Sequence, residues 1–153
     1  MGFFKQVKLE NFRNFDQYKI NLDKNCNILF GNNGSGKTNI LESISLFEKG
    51  NGFRKDKINN LVNYKSKINI FKIIASFINN HNEINLLLFN QINNNKTKKI
   101  LSVNNSTSRD SIKYFEDMFS IISFLPEMER LFLTSPAIRR NFLYQLIYGV
   151  DKS

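Results

Sequence analysis

The chain has 153 residues, 41% apolar and 23% charged, which suits one ordinary domain with a buried core and excludes a disordered tail. Its longest apolar runs, such as Ile84–Phe89, stop well short of the ~20 residues that span a bilayer, so no membrane role is expected. Twenty-two Lys and Arg against 13 Asp and Glu give a net charge of +9, which would attract a polyanion such as nucleic acid; heavy use of Lys, Asn and Ile, as AT-rich coding produces, explains it equally well.

In chain order, the start Met1-Gly2-Phe3-Phe4-Lys5-Gln6 has no basic region leading into an apolar stretch. Gln6 also stands where a myristoylation start needs Ser or Thr. A cytoplasmic enzyme or binding protein is the expectation. Val7–Glu10 and Tyr18–Leu22 alternate apolar and polar residues and predict two antiparallel strands joined by the turn-rich Asn11–Asp16. Cys26–Phe30 reads as a third strand, short, apolar and buried, with Cys26 a small interior residue. As the only cysteine it forms neither an internal disulfide nor a zinc cage. This strand runs into Gly31–Thr38. Ile40, Leu41, Ile44 and Phe47 then follow at helical spacing until Gly50-Asn51-Gly52 ends the helix.

Residues 53–66 form a basic, polar connector with Arg54, Lys55, Lys57, Lys65 and Lys67 in or beside it. Ile68–Ile78, Ile84–Phe89 and Lys99–Val103 predict an antiparallel meander, turning at Asn79–Asn82 and Asn93–Lys96. Ile112, Phe115 and Phe119 mark an amphipathic helix, and Ile121–Leu125 a short buried strand. Pro126-Glu127 and Ser135-Pro136 each look like a helix start. No linker or repeat divides the chain.

Gly31-Asn32-Asn33-Gly34-Ser35-Gly36-Lys37-Thr38 fits G-x-x-x-x-G-K-[ST] without mismatch, between a predicted strand and a helix. Glycines let successive N–H groups turn inward as an anion nest, and the helix beginning near Gly36 adds its positive end. Lys37 reaches β- and γ-phosphates, and the Thr38 hydroxyl ligates Mg²⁺. The bland alternative is a glycine turn with a solvated lysine. Hydrolysis also needs an acid at the end of an apolar strand. Leu146–Asp151 runs into Asp151 but keeps a helical period and contains Gly149. Ile121–Leu125 runs into Glu127 across a helix-opening proline. Neither is convincing, so no catalytic acid is assigned. His81, between asparagines, reads as a turn residue, and the phenylalanines as core.

Three stretches together resemble the bacterial RecF family, within the ABC-type ATPase heads that include SMC and Rad50. They are Val7–Phe15 with its Asn-Phe-Arg turn, Gly36–Ile44 with Gly52-Phe53-Arg54, and Phe124-Leu125-Pro126-Glu127 with Ser135-Pro136 and Arg139–Leu143. Tyr144 departs from the Asp usual there. The resemblance implies an α/β P-loop NTPase fold, an N-terminal lobe with a mixed and antiparallel sheet plus helices. It comprises a P-loop unit over 1–50, a meander over about 67–104 and a helical end over 109–150. Family members are more than twice this long, and their signature motif and Walker B acids would follow residue 153.

The function implied is recombinational DNA repair and replication-gap processing. ATP and Mg²⁺ would sit at Gly31–Thr38, and DNA at single-strand/double-strand junctions. RecO and RecR would be partners, with an ATP-dependent homodimer in the complete protein. By the same resemblance Arg13 lies near the nucleotide phosphates, or is an exposed turn arginine. Arg139 and Arg140 match a family motif or make local ion pairs; Lys55, Lys57, Lys65 and Lys67 touch DNA or form a solvated loop. The rival readings are another SMC- or Rad50-like head, and a non-enzymatic remnant that binds no nucleotide.

Overall fold

The computed structural model describes residues 2–94, 96–124 and 135–151, and in it the first strand is longer than its alternating stretch. β1 (Phe3–Phe12) buries Phe4, Val7, Leu9 and Phe12. That spacing departs twice from the two-residue period. A bulge between Phe4 and Gln6 turns both Phe4 and Val7 inward, and Asn11, at φ 54°, does the same for Phe12. A tight turn through Arg13 (φ 53°) leads into β2 (Phe15–Asn21).

β3 (Lys72–Asn79), β4 (Asn82–Asn93) and β5 (Lys96–Val103) form the expected meander. Asn80 and His81 make its first turn, both at positive φ, the geometry that matches strand twist in a two-residue hairpin loop. The sheet order is β2-β1-β3-β4-β5, antiparallel throughout. β1 therefore pairs with β3 as well as with β2, joining the N-terminal hairpin and the meander into one sheet.

One face of this sheet carries the core. α1 (Lys37–Ser45) and the residues that end it bring Ile40, Leu46 and Phe47 against it, and α2 (Arg109–Met118) brings Phe115. Phe4, Phe77, Phe115 and Phe119 meet edge-on or stacked with centroids 5.1–5.6 Å apart. Ser108 starts α2 by accepting the Ser111 N–H on its hydroxyl, with Asp110 in the positive first turn. α3 (Pro136–Asp151) begins after Ser135, where the Ser-Pro pair predicts it.

Several expectations are corrected. Cys26–Phe30 is no strand: Cys26 is exposed, and Ile28 and Phe30 are 80% and 92% exposed. A buried strand needs a ladder partner, and this segment pairs with neither free edge of the sheet, β2 or β5. The described sheet is consequently antiparallel and not mixed. Ile68–Phe71 is loop, with β3 starting at Lys72, because Asn11 and Asn90 take up that backbone's hydrogen bonds. Ile121–Phe124 is irregular, with Phe124 largely exposed. Leu41 also faces outward, since α1 turns Ile40 and Ser43 inward instead. The predicted helix start at Pro126-Glu127 lies outside the described residues.

Candidate functional site

The loop between Phe30 and α1 is shaped by glycines at positive φ: Gly31 at 147°, Gly34 at 81° and Gly36 at 102°. At Gly36 the demand is double. A Cβ there would lie 2.4 Å from the Phe15 ring and 2.8 Å from the Asn14 carboxamide, so only glycine fits under the β1–β2 turn. Gly36 is also the N-cap of α1, and no side chain caps it; the first turn carries no acid. Helix N–H groups that most helices cover are left facing outward, which is the physical basis of an anion site.

Lys37 opens α1, and its Nζ arches back over the loop to the carbonyls of Gly31 (2.7 Å) and Asn32 (2.8 Å). The ammonium is thus held above the nest by neutral acceptors that a phosphate can replace. Thr38 is exposed beside it. Asn33, Gly34, Gly36, Lys37, Thr38 and Asn39 line a cleft of about 360 Å³ together with Asn14 and Arg54. On the other side of the loop, Phe15, Tyr18, Ile28, Leu29, Phe30 and Ile40 line a hollow of about 320 Å³ that also touches Gly31, Ser35 and Lys37. The predicted set Gly31–Thr38 therefore surrounds one loop–helix junction. It fits a polyphosphate: the amides are uncapped, the lysine is positioned, and Thr38 offers the hydroxyl for Mg²⁺.

A polar chain behind the cleft holds it. Asn39 donates to Asn14 (2.8 Å), and Arg54 donates to Asn39 (2.8 Å) and to Glu42 (2.9 Å). Glu42 is wholly buried, and Arg13 grips its other side through Nε (2.9 Å) and Nη2 (2.6 Å). Arg13 also reaches Asp56 (3.0 Å) and the Asn60 carbonyl (2.9 Å). Burial alone would lower the Arg13 pKa, but Glu42 and Asp56 reverse this and raise it. Asp56 is held below the usual carboxylate range by the Asn60 amide, the Lys57 N–H and Arg13.

Arg13 is therefore no free turn residue; its guanidinium is engaged inside the fold by Glu42, Asp56 and the Asn60 carbonyl. The arginine that lines the cleft is Arg54, which the sequence shows only in the basic connector and in the family segment Gly52-Phe53-Arg54. Its place at the cleft could not be read there, because Asn39, Glu42 and Arg54 are brought together by α1 and the loop after it.

The remaining candidates fall elsewhere. Lys55, Lys57, Lys65 and Lys67 are exposed, with Lys65 over the Tyr64 ring at 5.6 Å. Arg139 is half-buried and Arg140 exposed on α3; His81 lies in the β3–β4 turn. Phe12 is core, 5.5 Å from Phe71, whereas Phe15 stacks on Tyr18 at 4.7 Å beside the loop. Asp151 is at the end of α3, and Glu127 lies outside the described residues. No helix among the described residues is long and apolar enough to cross a membrane.

Comparisons with known proteins agree on one family. The model of the RecF/RecN/SMC N-terminal domain matches residues 3–122. The DNA replication and repair protein RecF of Rickettsia typhi is 33% identical over 150 residues, covering 97% of this chain and 40% of the relative. That of Rickettsia massiliae is 32% identical over 151 residues with the same coverage. This chain spans about 40% of the length of these relatives.

Among solved structures, the recombination mediator protein RecF with an ATP analogue, described as part of the RecFOR pathway, superposes with a TM-score of 0.77. It is 26% identical, over 99% of this chain and 39% of that one. RecF with ATP gives 0.76 at 25% identity, over 99% and 40%. The fold is thus the P-loop ATPase head of the RecF type, represented by its N-terminal portion. With a matching domain model over most of its length and RecF proteins as its relatives, this chain belongs to the RecF/RecN/SMC N-terminal domain family.

Proposed function

We propose that this chain binds ATP with Mg²⁺ at Gly31–Thr38 and acts with DNA in replication and recombinational repair, as the names of its RecF relatives suggest. The observation that carries the reading is the uncapped N-terminus of α1 behind Lys37, whose ammonium is held by exchangeable carbonyls. Lys37 exchanges the Gly31 and Asn32 oxygens for β- and γ-phosphate oxygens. The amides of residues 34–38 surround the phosphates, and the Thr38 hydroxyl is the protein's ligand to Mg²⁺. Arg54, fixed by Asn39 and Glu42, lies on the same cleft and adds a second positive charge for the terminal phosphate.

The finer parts of the reading rest on the family. They are a preference for gapped DNA and single-strand/double-strand junctions, RecO and RecR as partners, an ATP-dependent homodimer of the complete protein, and a place in the cytoplasm. Mg²⁺ held by the Thr38 hydroxyl would supply charge neutralisation at the phosphates. No strand-end acid beside Thr38 is found among the described residues, so the chain alone binds ATP and turns it over at background rate. Titration with a fluorescent ATP analogue tests the core of this. Saturable, Mg²⁺-dependent binding lost in Lys37→Ala supports it, and flat binding favours the non-nucleotide remnant. Turnover abolished by Lys37→Ala would show a hydrolytic acid elsewhere in the chain.

A further inference from the structure

The stretch of chain that brings Arg54 to the cleft is held from the core side by a lysine that does not line the cleft. α1 ends at Ser45 with no basic residue in its last turn, although the carbonyl end of a helix favours a cation. Lys99 supplies one from β5, 53 positions beyond Leu46. Its three ammonium hydrogens meet the carbonyls of Leu46 (2.7 Å), Glu48 (2.9 Å) and Gly50 (2.5 Å), so no donor is left over. An ammonium in this position loses solvation that an apolar side chain of similar length would not, and burial accordingly lowers its pKa to about 8.

The clasped backbone leads directly to Arg54. Gly50 and Gly52 turn it at φ 99° and 69°, and Gly52 passes so close to α1 that a Cβ would lie 2.6 Å from Ser45 Oγ. The Phe53 N–H then donates to Ser45 Oγ (3.2 Å), and Arg54 reaches Asn39 and Glu42. On its outer side the turn borders an open cleft of about 580 Å³, lined by Glu48, Gly50, Gly52, Phe53 and Ile121, which leaves it room to shift. Asn51, Gly52 and Phe53 alone separate the clasped Gly50 from Arg54, so a displaced turn carries the guanidinium with it.

We infer that Lys99 is a positioning residue for the phosphate cleft: by clasping the chain after α1 it sets the turn that presents Arg54, and with it the preference for a nucleoside triphosphate over the diphosphate. The inference rests on the proposed nucleotide site and deepens it. Arg54 serves the terminal phosphate, whereas the loop amides hold the phosphates that both nucleotides share. Loss of the clasp therefore acts on the triphosphate alone.

Titration of methylanthraniloyl-ATP and methylanthraniloyl-ADP with Mg²⁺ at pH 7 tests it on the whole chain. Lys99→Met should weaken the triphosphate roughly fivefold and leave the diphosphate within about twofold. In an Arg54→Ala background the same substitution should cost the triphosphate nothing further, because both changes remove one contact. Lys99→Gln keeps an amide donor for the same carbonyls; it should fall between Lys99→Met and the parent, and it carries the comparison if Lys99→Met does not fold. Lys98→Gln, exposed on the same strand, should change neither affinity.

Equal loss of both nucleotides, or a full further loss in the Arg54→Ala background, would overturn the assignment and leave Lys99 a structural residue only. Unchanged triphosphate binding in both Lys99 variants would also overturn it, while binding that still depends on Lys37 keeps the nucleotide site standing. A parent chain that binds neither nucleotide would overturn the proposed site and this assignment with it.

Discussion

Arg13 and Glu42 form a two-bond pair, Nε to Oε2 at 2.9 Å and Nη2 to Oε1 at 2.6 Å, with the carboxylate wholly removed from solvent. Arg13 comes from the β1–β2 turn and Glu42 from the middle of α1, so this pair fixes the phosphate-loop helix to the sheet. Arg54 completes it from the far side. Removing one member of a buried pair strands the other's charge, at a cost of about 3–5 kcal/mol. Arg13 is partly open, so Arg13→Ala should cost about 2–3 kcal/mol in urea denaturation, somewhat below that range. Arg54→Ala, at a more exposed side chain, should cost under about 1 kcal/mol yet weaken ATP-analogue binding roughly tenfold. Equal effects of the two on stability and binding would refute this division of labour.

The loop glycines should separate in the same way. Gly36→Ala forces a Cβ against Phe15 and Asn14 at φ 102°, whereas at Gly34 nothing lies within 4 Å and only the φ of 81° is strained. Thermal melts should show Gly34→Ala losing about 1 kcal/mol and Gly36→Ala clearly more, with nucleotide binding abolished in Gly36→Ala.

Lys99 gives a pH dependence. Its ammonium leaves β5 on the core side and donates to the carbonyls of Leu46, Glu48 and Gly50, clasping the chain just after α1. Burial pushes its pKa down to about 8 from 10.5, against the opposing charges of Glu116 and Glu48. Between those values the unfolded chain holds a proton that the folded chain has released. Lys99 therefore opposes folding below about pH 8, and stability rises through its titration as pH goes up. Melting midpoints from pH 7 to 10 should show this rise in the parent relative to Lys99→Met; parallel profiles would remove Lys99 as its source.

Ile28 and Phe30 stand in water beside the phosphate loop. Substituting them removes no buried contact, so Ile28→Asp and Phe30→Asp should leave the unfolding free energy within about 0.5 kcal/mol. They should also reduce self-association in sedimentation velocity, because an exposed apolar patch is itself adhesive. A large loss of stability would show that this segment is buried in solution.

The glycine loop, the meander, the existence of α2 and the start of α3 could be read directly from residues, because each rests on local chemistry. Positive-φ glycines, Asn-rich turns, two-residue alternation, and serine before a helix act within a few positions of themselves. The family was legible for the same reason, since its motifs are short and ordered along the chain. Cys26–Phe30 could not be read this way. Its apolar character is identical whether or not a neighbouring strand exists, and only the sheet order shows that none of the described strands takes it.

The partners of Arg13 and Arg54 could not be read locally because the acid they share, Glu42, lies 29 and 12 positions away along the chain. By itself the sequence determined the glycine loop ahead of α1, the antiparallel meander and the family. Tertiary structure alone decided that Arg54 lines the cleft, that Arg13 pairs with Glu42, and that β1 joins hairpin and meander. These depend on long-range pairing and burial, which no local window of residues contains.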